Sequence, residues 1–356
     1  MTAIDLEAHF YTKAIFEYLR KQDTFPRLVK EKEPDSYNLW FTKQIALFQS
    51  TAFINQLCDL GESRINAMDK AGIDIQVLSF SSPGIDEFDA DHKFSGSAAI
   101  ELNDLLYETI KQHPTRFLGF ATISPYDVSQ GVRELERAIT KLKFVGWLAH
   151  SNFGENNYFD DKKYWPLLEA AESLNIPIYL HPTTPLTKEF GQYGFALAGP
   201  PLGFQTDVAL CALRMIYAGV FDAFPKLKII LGHMGEMLPF LMPDRIDWAY
   251  SNPQISKLPG FIKQRPDIKR IPSQVILENF YVTTSGRFSK ELLDYTLKIM
   301  GEHRVMLATD YPYENANQSM DFLKTSGLSD SLYQKICSKN AEKLGIKLPS
   351  QSSAYS

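Results

Sequence analysis

Short runs of aliphatic and β-branched residues alternate along the chain with longer stretches whose apolar positions recur every three to four residues. The first pattern predicts strands, and the second predicts helices that bury one face. Strand-like runs fall at residues 3–6, 75–80, 117–123, 145–150, 177–180, 228–231, 280–283 and 305–308. Helices are expected at 61–71, stopped by Gly72, and at 98–113, closed by Pro114. Others are expected at 128–142, 164–174, 206–218 and 290–300, with closing helices at 316–324 and 330–343.

The strand runs are almost continuously apolar, which is the pattern of parallel strands covered by helices on their outer face. Eight strand-then-helix units favour closure into a (β/α)8 TIM-like barrel over an open doubly wound sheet. No glycine-rich phosphate loop follows the first run, which weakens a dinucleotide-binding alternative. Three insertions break the rhythm, at 11–60, 183–205 and 252–278. The first two follow strands 1 and 5, on the face where the loops after strands build the active site. The first is rich in aromatics, among them Tyr11, Phe16, Tyr18, Trp40 and Phe41, and is expected to lid the pocket. The second, with Gly191, Gly194, Gly199, Pro200, Pro201 and Gly203, reads as an irregular loop. Residues 1–356 are read as one barrel domain.

Bulk properties narrow the classes further. A formal net charge of −5 without a clustered basic face excludes a nucleic-acid surface. No apolar stretch approaches the roughly 20 residues of a membrane span. The opening MTAIDLEAHF lacks the basic-then-apolar order of a secretory signal. Cys58, Cys211 and Cys337 are too far apart to make a paired metal motif and read as free thiols. A cytoplasmic setting is the expectation.

The chemistry lies in where ligand-type residues fall. Glu7 and His9 follow the first run, His181 closes the fifth, His233 follows the sixth, and Asp310 follows the eighth. A barrel brings all five to one face. Residues two apart on a strand share a side, so Glu7 and His9 should point together into the mouth. Each has an ordinary explanation alone: Glu7 as an ion-pair partner, His9 as a core histidine, His181 as a strand end, Asp310 as a turn former. Their joint placement favours a divalent metal site, with imidazole and carboxylate ligands suited to zinc, manganese or a similar ion. His150 reads either as core packing or as pocket wall, while His92 (in a loop), His113 and His303 read as structural. Arg20 and Arg27 could meet a carboxylate or stay solvated. His233 and Glu236, three apart at an expected helix start in GHMGE, could face one pocket.

Six segments carry a resemblance: Leu6-Glu7-Ala8-His9-Phe10, RINAMDKAGIDIQVL at 64–78, IYLHP at 178–182, GHMGEMLP at 232–239, NFYVTTSG at 279–286 and ATDYPYEN at 308–315. In this order they resemble the amidohydrolase superfamily, and within it the metal-dependent aromatic acid decarboxylases. Hydrolytic members generally open with His-x-His, whereas Glu7-x-His9 is similar to the decarboxylases of hydroxybenzoates.

The resemblance implies Glu7, His9, His181 and Asp310 as ligands of one divalent ion, manganese or zinc foremost and magnesium also compatible. It implies a small aromatic carboxylic acid as substrate, non-oxidative loss of CO2, and a homodimer or homotetramer. His233, with Glu236, is expected to position substrate or handle a proton. Arg245 is similar to an arginine that reaches a substrate carboxylate, often across a subunit interface, although Pro243 nearby departs from the pattern. Asp310 is expected to double as the proton donor, because a crowded carboxyl in a ligand sphere can hold a proton. A metal-dependent hydrolase of a lactone or related cyclic carboxylate is the alternative.

Overall fold

Runs that are apolar on both faces become strands buried on both sides. The structure is a computed structural model that describes residues 2–88, 92–155, 157–242, 244–252, 254 and 267–348. Its strands are β1 (Ile4–Phe10), then β2 (Arg27–Lys30), β3 (Ser36–Trp40) and β4 (Ala46–Ser50) within the first insertion. There follow β5 (Ile75–Phe80), β6 (Phe117–Ala121), β7 (Gly146–His150), β8 (Pro177–His181), β9 (Lys228–Leu231), β10 (Phe280–Thr283) and β11 (Val305–Met306).

Strands β1 and β5 to β11 pair in chain order, every pair parallel. The seam between β1 and the last strand is closed by Leu6 N–H to Leu307 O (3.1 Å) and His9 N–H to Tyr311 O (2.7 Å). Ala8 and Tyr311 form a parallel bridge there. This is the expected eight-stranded barrel. Alternate strand residues, including Leu6, Val77, Phe120, Tyr179, Ile230 and Met306, fill its interior together with Leu344 and Ile346. The other set packs outward against the helices. Filling by side chains makes the barrel a core rather than a pore.

Several boundaries move from the sequence expectation. Strand β1 runs on through Glu7 and His9. Its register against β5 slips between Asp5, opposite Gln76, and Ala8, opposite Leu78. One extra residue on β1 therefore forms a bulge beside Glu7, a device that re-aims a side chain. The last strand ends at Met306, two residues early. His92 begins the helix His92–Gln112 rather than lying in a loop.

The first insertion folds as helix Lys13–Arg20, the antiparallel sheet β2-β3-β4 and helix Thr51–Leu57. The second is less irregular than its glycines and prolines imply. It forms a 3-10 turn at Lys188–Tyr193 and a helical turn at Phe195–Ala198, and helix Gly203–Tyr217 starts three residues before the expected position. A β-carbon on Gly203 would lie 2.1 Å from the Ala198 carbonyl oxygen, so this chain crossing requires glycine. Of the third insertion, residues 253 and 255–266 lie outside the described residues, and its end is helix Pro272–Asn279. No helix among the described residues is long and apolar enough to cross a membrane.

Candidate metal centre

The bulge in β1, the end of β8 and the residues after β11 converge at the carboxyl ends of the strands. One ligand atom each from Glu7, His9, His181 and Asp310 lies within 4.8 Å of the others. His9 Nε2 is 3.8 Å from Glu7 Oε1 and 3.1 Å from Asp310 Oδ1, and His181 Nε2 is 3.7 Å from Glu7 Oε1. Glu7 and His9 are fully buried. Neither Glu7 oxygen has a hydrogen-bond partner, and neither does His9 Nε2, which approaches Asp310 without hydrogen-bond alignment. A buried carboxylate without donors is costly to leave that way. Converging orphan atoms of this chemistry fit a cation with oxygen and imidazole ligands. The other His9 nitrogen, Nδ1, sits 3.2 Å from Ser79 Oγ, which fixes the ring so that Nε2 faces the cluster.

The electrostatics point the same way. Burial opposes protonation of His9, but Asp310 and Glu7 outweigh it and raise its pKa to about 9. His181 is pushed well below the ordinary value by burial and by the surrounding histidines. Burial raises the Asp310 carboxyl, yet the close approach of the His233 and His9 imidazoles leaves it below the usual range. The carboxylates thus recruit a proton onto His9 as the nearest available positive charge. A bound divalent ion would displace it.

His233 and Glu236 meet as anticipated, Nδ1 to Oε1 at 2.9 Å, but not from a helix start. His233, Met234, Gly235 and Glu236 all have positive φ, from 51° to 85°. This left-handed turn is pinned to the end of β10 by Met234 N–H to Thr283 O (2.7 Å) and His233 N–H to Ser285 Oγ (3.1 Å). It leaves His233 Nε2 3.6 Å from Asp310 Oδ2. Burial opposes protonation of His233, and the charges of Glu236 and Glu7 raise its pKa well above the ordinary value.

Two adjoining cavities reach the cluster and share Pro200, Phe204, His233, Asp310 and Glu314. One, of about 230 Å³, adds His181, Tyr313 and the apolar Phe41, Leu47 and Phe195. The other, of about 260 Å³, adds Gln205, Glu236 and Arg287. Arg245 is exposed and lines neither. Its neighbour Pro243 lies outside the described residues. Arg20 is ion-paired with Glu17, and Arg27 lies in β2 over the Phe25 ring.

Two features escaped the sequence reading. Arg287, one residue past the NFYVTTSG segment, faces the site. Asp86 and Glu87 gather around His150, whose Nδ1 is 2.7 Å from Asp86 Oδ1. Glu87 accepts from Ser82 Oγ (2.8 Å), Gly84 N–H (2.7 Å) and Thr183 Oγ1. The Glu87 oxygens are therefore satisfied by the protein, where those of Glu7 are not. This second group backs His181, with the His150 and His181 rings 5.2 Å apart.

With the geometry in place, likeness to known proteins is informative. Residues 54–344 match the amidohydrolase family. A γ-resorcylate decarboxylase of Polaromonas sp. is 36% identical over 85% of this chain and 95% of its own. The crystal structure of a dihydroxybenzoic acid decarboxylase from Polaromonas sp., with bound manganese and 2-nitroresorcinol, is 33% identical with a TM-score of 0.83, covering 99% of both chains. That of 5-carboxyvanillate decarboxylase from Novosphingobium aromaticivorans, complexed with manganese and 4-hydroxy-3-methoxy-5-nitrobenzoic acid, is 28% identical with a TM-score of 0.85, covering 97% of this chain and 96% of the other. Family match, near-complete coverage and a barrel carrying its polar cluster at the strand ends agree: this chain belongs to the amidohydrolase family.

Proposed function

We propose that the protein is a metal-dependent, non-oxidative decarboxylase of a hydroxylated aromatic carboxylic acid. The observation that carries this reading is Glu7: a carboxylate on β1, with both oxygens buried and without donors, in a chain whose full-length relatives are aromatic acid decarboxylases. No observation favours lactone hydrolysis. Glu7, His9, His181 and Asp310 are the proposed ligands of one divalent ion, with manganese ahead of zinc and magnesium. Such an ion supplies Lewis-acid charge for the phenolic and carboxylate oxygens of the substrate.

Direct loss of CO2 would leave a localised aryl carbanion, so protonation of the carboxylate-bearing carbon comes first. A C–H bond forms and the ring is dearomatised. The C–C bond to the carboxylate then breaks, and its electron pair restores the ring as CO2 leaves. Asp310 and His233 form the proton-bearing pair. Glu236 keeps a proton on His233, and the 3.6 Å approach of Nε2 to Asp310 Oδ2 lets that proton pass to the carboxyl facing the substrate.

The insertion 11–60 serves as the lid, supplying Phe41 and Leu47 to the apolar cavity. Residues 1–356 act as one domain, in a cytoplasmic homodimer or homotetramer. Arg245, being exposed, reaches a substrate carboxylate only in a neighbouring subunit. Turnover of an ortho-hydroxybenzoate in deuterated water tests the chemistry. Deuterium at the former carboxyl carbon is expected, and no CO2 release from any ortho-hydroxybenzoate would overturn the decarboxylase reading.

A further inference from the structure

The two cavities share His233, Asp310 and Glu314 but differ in chemistry. Both reach the cluster through Asp310; the apolar one adds His181, and the other adds Arg287. Arg287 makes no hydrogen bond or ion pair with any of the described residues, although Glu314 lines the same cavity. A half-buried guanidinium with all its donors unused is matched to an oxyanion, which it can hold through two parallel bonds.

The start of that side chain is fixed by its neighbour. Gly286 has φ +60°, and a β-carbon there would stand 3.0 Å from His233 Cδ2. The backbone therefore passes against the edge of the imidazole, and Arg287 leaves it directly beside the proposed proton-bearing pair. A substrate whose reacting carboxylate faces the cation cluster would extend its far edge toward Arg287. Too strong a grip on the leaving carboxylate would also stabilise the ground state and slow its loss. An arginine away from the cluster avoids that penalty.

We infer that Arg287 is a specificity residue that receives a second acidic substituent of the substrate, so that the preferred substrates are hydroxyarenes bearing two anionic groups. This rests on the decarboxylase reading and narrows it. The test uses the manganese-loaded protein and two substrates alike except for one group, a 2-hydroxybenzoate and the corresponding hydroxybenzene-dicarboxylate. The dicarboxylate should be favoured in kcat/KM. Arg287→Met should lower its kcat/KM by about 10- to 100-fold more than that of the monocarboxylate, the range expected for a charged hydrogen-bonded pair. The loss should fall mainly in KM, and Arg287→Lys should recover part of it. Equal losses on both substrates, or no parental preference, would overturn the inference. If neither compound releases CO2, the decarboxylase reading fails instead. Calorimetric binding of the two compounds then decides the role of Arg287: tighter binding of the dicarboxylate that vanishes in Arg287→Met upholds it, and equal affinities reject it.

Discussion

Asp5 and Thr309 are 304 residues apart in the chain, yet the Asp5 carboxylate accepts from both the Thr309 backbone N–H (2.9 Å) and the Thr309 hydroxyl (2.6 Å). The same carboxylate also accepts from Glu7 N–H (3.2 Å) and Gln76 Nε2 (3.1 Å). One buried side chain thus holds the bulge that aims Glu7 and the residue that precedes Asp310. Arg64 adds a bond from Nη2 to the His9 carbonyl at 2.7 Å. Asp5→Ala would leave these donors unmet. It should weaken manganese binding by about 10- to 100-fold and cost roughly 2–4 kcal/mol of stability. Metal titration and denaturant unfolding measure the two effects, and unchanged metal affinity would show that the bulge holds its shape without Asp5.

Metal content and turnover should separate between two ligand variants. His181→Ala removes an imidazole from the cluster and should lose most of the bound ion. Asp310→Asn keeps an oxygen there, and its backbone, with φ 60°, is one that asparagine adopts readily. That variant should retain much of the metal and lose turnover by a factor of about 100 or more. Elemental analysis beside CO2 release distinguishes them, and full occupancy in His181→Ala would sink the site assignment.

Glu236 raises the pKa of His233 against the effect of burial. A group with a raised pKa keeps its proton to higher pH, so the parent should stay active further into the alkaline range than Glu236→Gln. In that variant the basic limb of the kcat/KM profile should move to lower pH while metal content holds. A profile that stays in place would remove Glu236 from proton handling.

Asp207 is buried among Ser151, Asn152 and Tyr158, and burial pushes its pKa up to about 6. The folded state therefore holds this proton where the unfolded chain, near 3.8, has lost it. The Asp207 contribution to stability is present below about pH 4 and fades as pH rises through 6, by on the order of 3 kcal/mol in all. Unfolding free energies of the parent minus those of Asp207→Asn should decline across that window. A flat difference would contradict the buried-acid account.

The fold was largely legible because buried parallel strands write themselves as apolar runs: β5, β9 and β10 fall on the expected residues. The polar residues Glu7 and His9 interrupt that signal, so the first run seemed to stop at Leu6 although β1 continues to Phe10. The β2-β3-β4 sheet went unread because its strands are only four or five residues long and part-exposed, which blurs the two-residue period. The ligand-type residues were legible from their positions at strand ends. Arg287 and the pair Asp86 and Glu87 were not, since Arg287 sits in a loop and the pair in a single 3-10 turn, Ile85–Glu87, whose paths are set by tertiary contacts. The left-handed turn at His233 was misread as a helix start, because a Gly flanked by Met and Glu carries no local mark of its handedness.

The barrel seam carries a consequence for how the enzyme is made. Glu7 and His9 are translated about 300 residues before Asp310 and the Asp5 partner Thr309. Domains assemble as chain becomes available, so a nascent molecule has neither a closed seam nor a complete ion-binding set. Metal acquisition then has to wait for the seam to close, and an ion that stays bound reports a barrel whose first and last strands have met.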